Sequence, residues 1–246
     1  MYYNDLKQTG EALFKIRGKY LTATILIGAV VTWRVGALGP FSNDGANLAW
    51  FWLSLGVASA GALVRIITSG FAAPGTSGNT KDAPVASELN TTGPYSLVRN
   101  PLYVGRILNF TGIAMLSGSW VYGALVFFIS VLIYERVSVF EEAFVRKKFP
   151  DEHPQWAEEV PFLLPRLRGW VKPKYRFWMR RCFSRENKKL YWLVTAVALF
   201  DFARHGFDLE RLSENLFLYI FWAVVAVARL AVRFIRRRTK FFEGIS

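Results

Sequence analysis

Apolar and polar positions fall along this chain in long blocks, not at the short periods of a soluble helix or strand. Residues 21–39 form an apolar run interrupted by Arg34, and 47–68 form a second with Arg65 near its end. Residues 107–134 carry no charge. A helix needs about 20 mainly apolar residues to cross a bilayer. Counted from Pro101 the third run is too long for one crossing, and Ser117, Gly118 and Ser119 break it, which predicts a tight helical hairpin over 101–117 and 120–140. Residues 190–206, with Asp201 and Arg204 near the end, and 215–234 predict a fifth and a sixth crossing. The fold class expected is all-α: a polytopic membrane helical bundle of about six transmembrane helices. The first residues are polar and no cleavable signal peptide is evident.

Composition strengthens this reading: the chain is 52% hydrophobic and 16% aromatic, above the soluble average. Its net charge of +13 raises nucleic acid as a partner, but the placement of the charge argues against it. Basic residues cluster between crossings and at the C-terminus, with thirteen Lys and Arg from Arg146 to Lys189 and four more among Arg236, Arg237, Arg238 and Lys240. The turns 40–46 and 116–120 contain no Lys or Arg, and 205–214 has only Arg211. By the positive-inside rule this places both termini in the cytoplasm. The basic surface suits anionic lipid headgroups and the membrane, not nucleic acid. Cys182 is the single cysteine, so no internal disulfide forms, and no metal site is expected.

Between the apolar blocks lie three polar segments. The turn 69–92, rich in Gly, Ala, Ser, Thr and Pro, is either a passive linker or a lid over a ligand. Residues 149–165 are too charged and proline-broken to cross; Trp156, Phe162, Leu163 and Leu164 are expected to dip into the interface, and His153 reads as a surface turn residue. Residues 166–189 are basic and aromatic, as in an interfacial helix or linker.

Two features carry candidate chemistry. Pro101 suits the first turn of a helix, whose N-terminus offers free donors and partial positive charge to an anion. Arg99 adds a full charge and a bidentate fork, and Asn100 stands at the cap. The competing structural reading is a headgroup anchor followed by an ordinary N-cap. Glu141 and Glu142 sit at the far end of the hairpin; adjacent helical positions point about 100° apart, so one is expected to face the bundle. They would serve a ligand ammonium, or form a salt bridge to Arg99, Arg136 or Arg146. A short hairpin brings both features to one membrane face, supplying partners for a carboxylate and an ammonium together.

At this point the chain resembles a family. Gly93, Pro94 and Tyr95, the run from Arg99 to Gly105, Glu141 with Glu142, Phe149, Trp156, Val160 with Pro161, and Leu164 with Pro165 look like the isoprenylcysteine carboxyl methyltransferase and phospholipid methyltransferase superfamily. The resemblance covers about residues 85–166. It implies S-adenosylmethionine bound in a pocket at the cytosolic face and a lipid or lipidated acceptor entering from the bilayer. Carried over by position, the cofactor would meet Leu89, Asn90, Tyr95, Arg99, Asn100, Pro101, Leu102, Tyr103, Gly105 and Glu141. The chain then divides into 1–68 (two crossings), 69–166 (methyltransferase core), 167–189 (basic linker) and 190–246 (two crossings and a basic tail). Two departures bear on the acceptor. Asn100 stands where the isoprenylcysteine enzymes usually have His, and Val137 where they have an Arg. The nearest arginine, Arg136, is expected to hold the anionic part of a lipid headgroup, and Glu142 to accept a proton from an amine acceptor. A phospholipid or related headgroup is favoured over carboxyl methylation of an isoprenylcysteine. A sterol-type reductase using NADPH and a non-catalytic membrane scaffold are the other readings.

Overall fold

The computed structural model describes residues 2–76 and 84–239. Its main elements are helices: α1 (Tyr2–Val35), α2 (Asp44–Phe71), α3 (Pro101–Met115), α4 (Trp120–Lys148), α5 (Glu152–Glu159), α6 (Met179–Arg204) and α7 (Leu216–Arg238). Short 3-10 turns precede α3 and α7, and the described residues form no strand beyond one isolated bridge, Thr76 to Ala86.

The chain is all-α, but the expected count of six crossings is wrong. Among the described residues, three helices are long and apolar enough to span a bilayer: Asp44–Phe71, Trp120–Lys148 and Glu210–Arg238, counting the 3-10 turn before α7. They make this a multi-pass membrane protein. The three other runs fail for different reasons. At 15 residues, α3 is only about 22 Å long, short of the roughly 30 Å hydrocarbon core. The apolar half of α1 continues without a break into a polar half bearing Asp5, Lys7, Glu11, Lys15, Arg17 and Lys19. Helix α6 opens on Arg180 and Arg181 and meets Asp201 and Arg204 before an apolar span is complete.

The break at 117–119 becomes a tight turn. Gly118 adopts φ 83°, and the Ser119 side chain accepts from the Tyr122 amide at 3.2 Å to start α4. Small residues let α3 lie close against α2: a Cβ on Gly61 would stand 2.4 Å from the Asn109 amide nitrogen, and one on Gly105 2.7 Å from the Gly61 carbonyl oxygen. The Asn109 side chain fixes this contact by donating to the Ala58 carbonyl at 2.9 Å. A core of Phe14, Tyr103, Phe110, Tyr134 and Val137 joins α1, α3 and α4; a second, of Ile25, Ala58, Ile113, Leu116 and Phe200, joins α1, α2, α3 and α6. The outer faces expose Leu26, Trp52, Phe128, Leu132, Phe217 and Phe221, as lipid contact requires.

After α5 the chain runs back as an extended strap. The Arg99 amide donates to the Pro161 carbonyl (2.9 Å), the Arg166 amide to Leu97 (3.0 Å), the Gly93 amide to Val171 (2.9 Å) and the Trp178 amide to Gly70 (3.0 Å). These bonds tie the end of α2 and the stretch from Gly93 to Arg99 to the strap. Helix α6 secures the same region from inside: the buried Arg181 donates to the Ala72 and Ala73 carbonyls, and Arg185 donates to the Thr76 carbonyl. Of the 69–92 turn, read from sequence as linker or lid, residues 77–83 lie outside the described residues, as does Lys240 of the basic tail.

Candidate functional site

A cavity of about 180 Å³ lies where the first turn of α3 meets the last turns of α4. Its wall includes Leu89, Asn90, Tyr95, Arg99, Asn100, Pro101, Leu102, Tyr103, Glu141 and Glu142, so the structure brings together all the expected site residues except Gly105 and Arg136. Gly105 faces away, against Arg65 and Gly61, and serves the α2–α3 approach. Arg136 does not line this cavity: its guanidinium donates to the Leu132 carbonyl at 3.0 Å and pairs with Glu135 at 3.5 Å. Val137, one position on, is fully buried in the core.

The turn before α3 is built from several directions. Pro101 opens the helix, as its fixed φ and missing amide hydrogen favour. Asn100 makes no side-chain cap; its Nδ2 donates to the Phe162 carbonyl on the strap at 3.2 Å. Arg99 forms an ion pair with Glu142 and lies over the Phe162 ring, 5.1 Å from the centroid. Asn90 ties two stretches of chain together, accepting from the Ala73 amide at 2.8 Å and donating to Thr76 Oγ1 at 3.0 Å. The Tyr95 carbonyl accepts from Trp156 Nε1 at 3.2 Å. Burial, reinforced by the Glu141 charge, pushes the Tyr95 phenol above its ordinary value, so it stays a neutral donor.

The two glutamates have different surroundings. Glu141 is hydrogen-bonded to the Tyr103 hydroxyl and lies in the field of Arg17 and Arg106. Tyr103 is buried and stacked on Tyr134, with centroids 4.9 Å apart. Glu142 faces Arg99 and, at 3.5 Å, His153 Nε2. On this side several buried polar atoms have no hydrogen-bond partner among the described residues: Arg99 Nε, Glu142 Oε2 and both ring nitrogens of His153. Such atoms are uncommon in a finished fold and mark a place where a polar ligand fits.

Sequence reasoning missed Arg17, Arg65, Arg106, His153 and Trp156 on this wall. Arg106 carried a signal: it is the last charge before the uncharged run and lies three positions, one helical turn, beyond Tyr103. Arg65 carried the same signal, a charge within an apolar run. It is 5% exposed, held by Glu186 of α6 through two bonds of 3.2 Å, and donates to the Leu102 carbonyl at 2.9 Å. His153 corrects the expectation of a surface turn residue: it is 3% exposed, within α5. Nothing in its local sequence distinguishes it, because its burial depends on α4 and the strap. Among the described residues, no group of three or more His, Cys, Asp or Glu stands together to hold a metal ion.

The nickel-cobalt-cadmium resistance protein NccN of Alcaligenes xylosoxydans xylosoxydans is 34% identical over 82 residues, 33% of this chain and 38% of that protein. The cobalt-zinc-cadmium resistance protein CzcN of Cupriavidus metallidurans is 37% identical over 79 residues, 32% of this chain and 36% of that protein. The chain thus spans little more than a third of the length of these relatives. No solved structure matches it. Residues 52–152 match the family model described as phospholipid methyltransferase, and this segment holds α3, α4, the Arg99 turn and both glutamates. The match bears out the resemblance read from the sequence: over those residues the chain carries the signature of the phospholipid methyltransferase family, consistent with the membrane methyltransferase superfamily.

Proposed function

We propose that this protein is an integral-membrane, S-adenosylmethionine-dependent methyltransferase whose acceptor is a lipid or lipidated molecule, with a phospholipid headgroup favoured, and whose cavity faces the cytoplasm. The observation that carries this reading is the cavity itself. It gathers an anionic side, a cationic side and buried polar atoms without hydrogen-bond partners among the described residues, most of them on the segment that matches the phospholipid methyltransferase family.

The donor set fits the cofactor. Glu141 would meet its ammonium, and the N-terminus of α3 with Arg106 would meet its carboxylate; Leu89, Tyr95 and Trp156 offer apolar and aromatic surface to a base. The cofactor supplies a methyl group on a sulfonium, an electrophile that reacts in line with its leaving group. What the chain adds is position and dryness: the cavity aligns the acceptor and excludes water. Arg99 and Glu142 neutralise each other on the wall, and Tyr103 holds the Glu141 carboxylate in place. The buried Val137 provides no cation for an acceptor carboxylate, which favours a headgroup amine over an isoprenylcysteine carboxylate.

Calorimetry on the purified protein in lipid nanodiscs tests this reading. S-adenosylmethionine should bind and NADPH should not; the reverse would replace methyl transfer with a reductase, and binding of neither would point to a scaffold. For sidedness, a cysteine at the exposed Ser87, with Cys182 first replaced by alanine, should react with an impermeant maleimide only from the cytoplasmic face of oriented membranes. Reaction from the other face would place the cavity outside.

A further inference from the structure

The wall formed by Arg99, Glu142 and His153 has a second side. A larger cavity, of about 440 Å³, lies behind it, bounded also by Tyr3, Arg146 and Glu158. His153 therefore touches both cavities, although it is almost wholly buried, and neither of its ring nitrogens has a hydrogen-bond partner among the described residues. Its ring is oriented by Trp156, edge to face at 5.8 Å, and its Nε2 stands 3.5 Å from the Glu142 carboxylate. An imidazole can take a proton on one nitrogen and give it up from the other.

We propose that His153 is the general base of the transfer: it takes a proton from an amine acceptor held in the first cavity and releases it through the second. This deepens the methyltransferase reading and rests on it. An ammonium acceptor has no lone pair and must lose a proton before its nitrogen can bond to carbon. The nitrogen-to-carbon bond forms as the carbon-to-sulfur bond of the donor breaks, and the electron pair of that bond stays on sulfur. The proton goes to His153, and the imidazolium is stabilised by Glu142. Return of the proton to solvent through the second cavity restores the neutral ring.

The groups facing His153 fit this role. Burial, and then the charges of Arg99 and Arg146, draw its pKa below the ordinary histidine value, so the ring is neutral and ready to accept at pH 7. Glu142 and Arg146 come from α4, Arg99 from the turn before α3, Tyr3 from α1 and Glu158 from α5. Glu142 is already paired with Arg99, which suits it to stabilise a cation more than to act as the base itself. A general base contributes about 10²–10⁴-fold to rate.

The test uses the full-length protein in nanodiscs, with two acceptor probes. One is phosphatidylethanolamine, whose amine must lose a proton; the other is a farnesyl-cysteine analogue, whose carboxylate is already ionised at pH 7. The His153→Gln variant should lower kcat on phosphatidylethanolamine by about 10²-fold, far more than on the analogue, with S-adenosylmethionine affinity unchanged by calorimetry. The acidic limb of the kcat profile on the amine should disappear. Equal losses on both acceptors, or an unaltered pH profile, would overturn the proposal while leaving the methyltransferase reading intact. Failure of the wild type to bind S-adenosylmethionine would remove both. A readout independent of activity is available because the chain has only two histidines. With His205→Gln used for assignment, the His153 ring should titrate in nuclear magnetic resonance below the ordinary histidine value, and further below it in Glu142→Gln. A ring that does not titrate, or that ignores Glu142→Gln, would also overturn the proposal.

Discussion

Replacing Glu186 by glutamine should loosen the whole bundle. Glu186 is 6% exposed on α6 and accepts from Arg65 twice at 3.2 Å, from Ser69 Oγ at 3.1 Å and from Lys189 Nζ at 2.6 Å. Burial alone would raise its pKa, but Arg65 and Lys189 more than reverse this, leaving the carboxyl at about 2, against 4.5 for an ordinary glutamate. At 1.36 kcal/mol per pH unit, that displacement is worth about 3 kcal/mol. Lys189 gains less from the site: burial, and then Arg65, draw its pKa well below the ordinary lysine value, so the Arg65 fork carries the pairing. Glutamine keeps the size but leaves Arg65 buried without its anion, a change that typically costs about 3–5 kcal/mol. For a chain of this length, about 3 kcal/mol corresponds to a Tm lower by about 6–12 °C. Cys182 provides the assay. It is the single cysteine, 5% exposed on the same helix, with its thiol against the Ile66 carbonyl at 3.3 Å, so a thiol-reactive fluorophore labels it only when α6 detaches. The folded pKa lies below the unfolded one, so the contribution is full above pH ~4.5 and is lost as pH falls through about 2. Equal labelling temperatures for wild type and Glu186→Gln at pH 7 would refute the reasoning.

Four further outcomes are expected. Glu141→Gln should weaken S-adenosylmethionine binding about ten- to a hundredfold in calorimetry, the worth of a charge-assisted hydrogen bond of roughly 1.5–3 kcal/mol; unchanged affinity would remove Glu141 from the site. Gly61→Leu should destabilise by about 1–3 kcal/mol or more in the Cys182 assay, because a Cβ there already meets backbone at 2.4 Å. Arg136→Ala should leave the KM for both cofactor and acceptor within about twofold, since its guanidinium is engaged outside the cavities; a selective rise in acceptor KM would restore it to the headgroup site. Supplied with a labelled methyl donor, the protein should label extracted membrane lipid faster than the farnesyl-cysteine analogue, and the opposite ranking would make the carboxylate its preferred acceptor.

The parts of this molecule that were legible in the sequence are those set by local pattern. The hairpin could be read because an uncharged run too long for one helix is broken by Ser117, Gly118 and Ser119. The cradle residues could be read because a proline at a helix start and a paired carboxylate have local meanings. The number of crossings was not legible, because the charges on α1 and α6 and the shortness of α3 are compensated by packing against other helices. Ile113 and Phe200 are buried by neighbours, which hydropathy along one segment does not register. The same limit hid the burial of His153, and for Arg65 it hid the partner: the charge stands out within an apolar run, but Glu186 lies 121 positions on and nothing at position 65 marks it.

The strap has a consequence for how such a chain diversifies. The side chains on the cavity wall lie mainly within the segment matched by the family, whereas much of what fixes their backbone comes later, from Pro161, Phe162, Arg166 and Val171. Recognition and rigidity are therefore written in separate stretches of sequence. On the proposed reading, substitutions in the strap would retune the width and mobility of the cavity without changing the side chains of its cradle, so two chains with the same cradle would diverge in the acceptor they admit. A chimera exchanging only 160–178 between relatives would inherit the strap donor's acceptor range and keep the cofactor affinity of the parent.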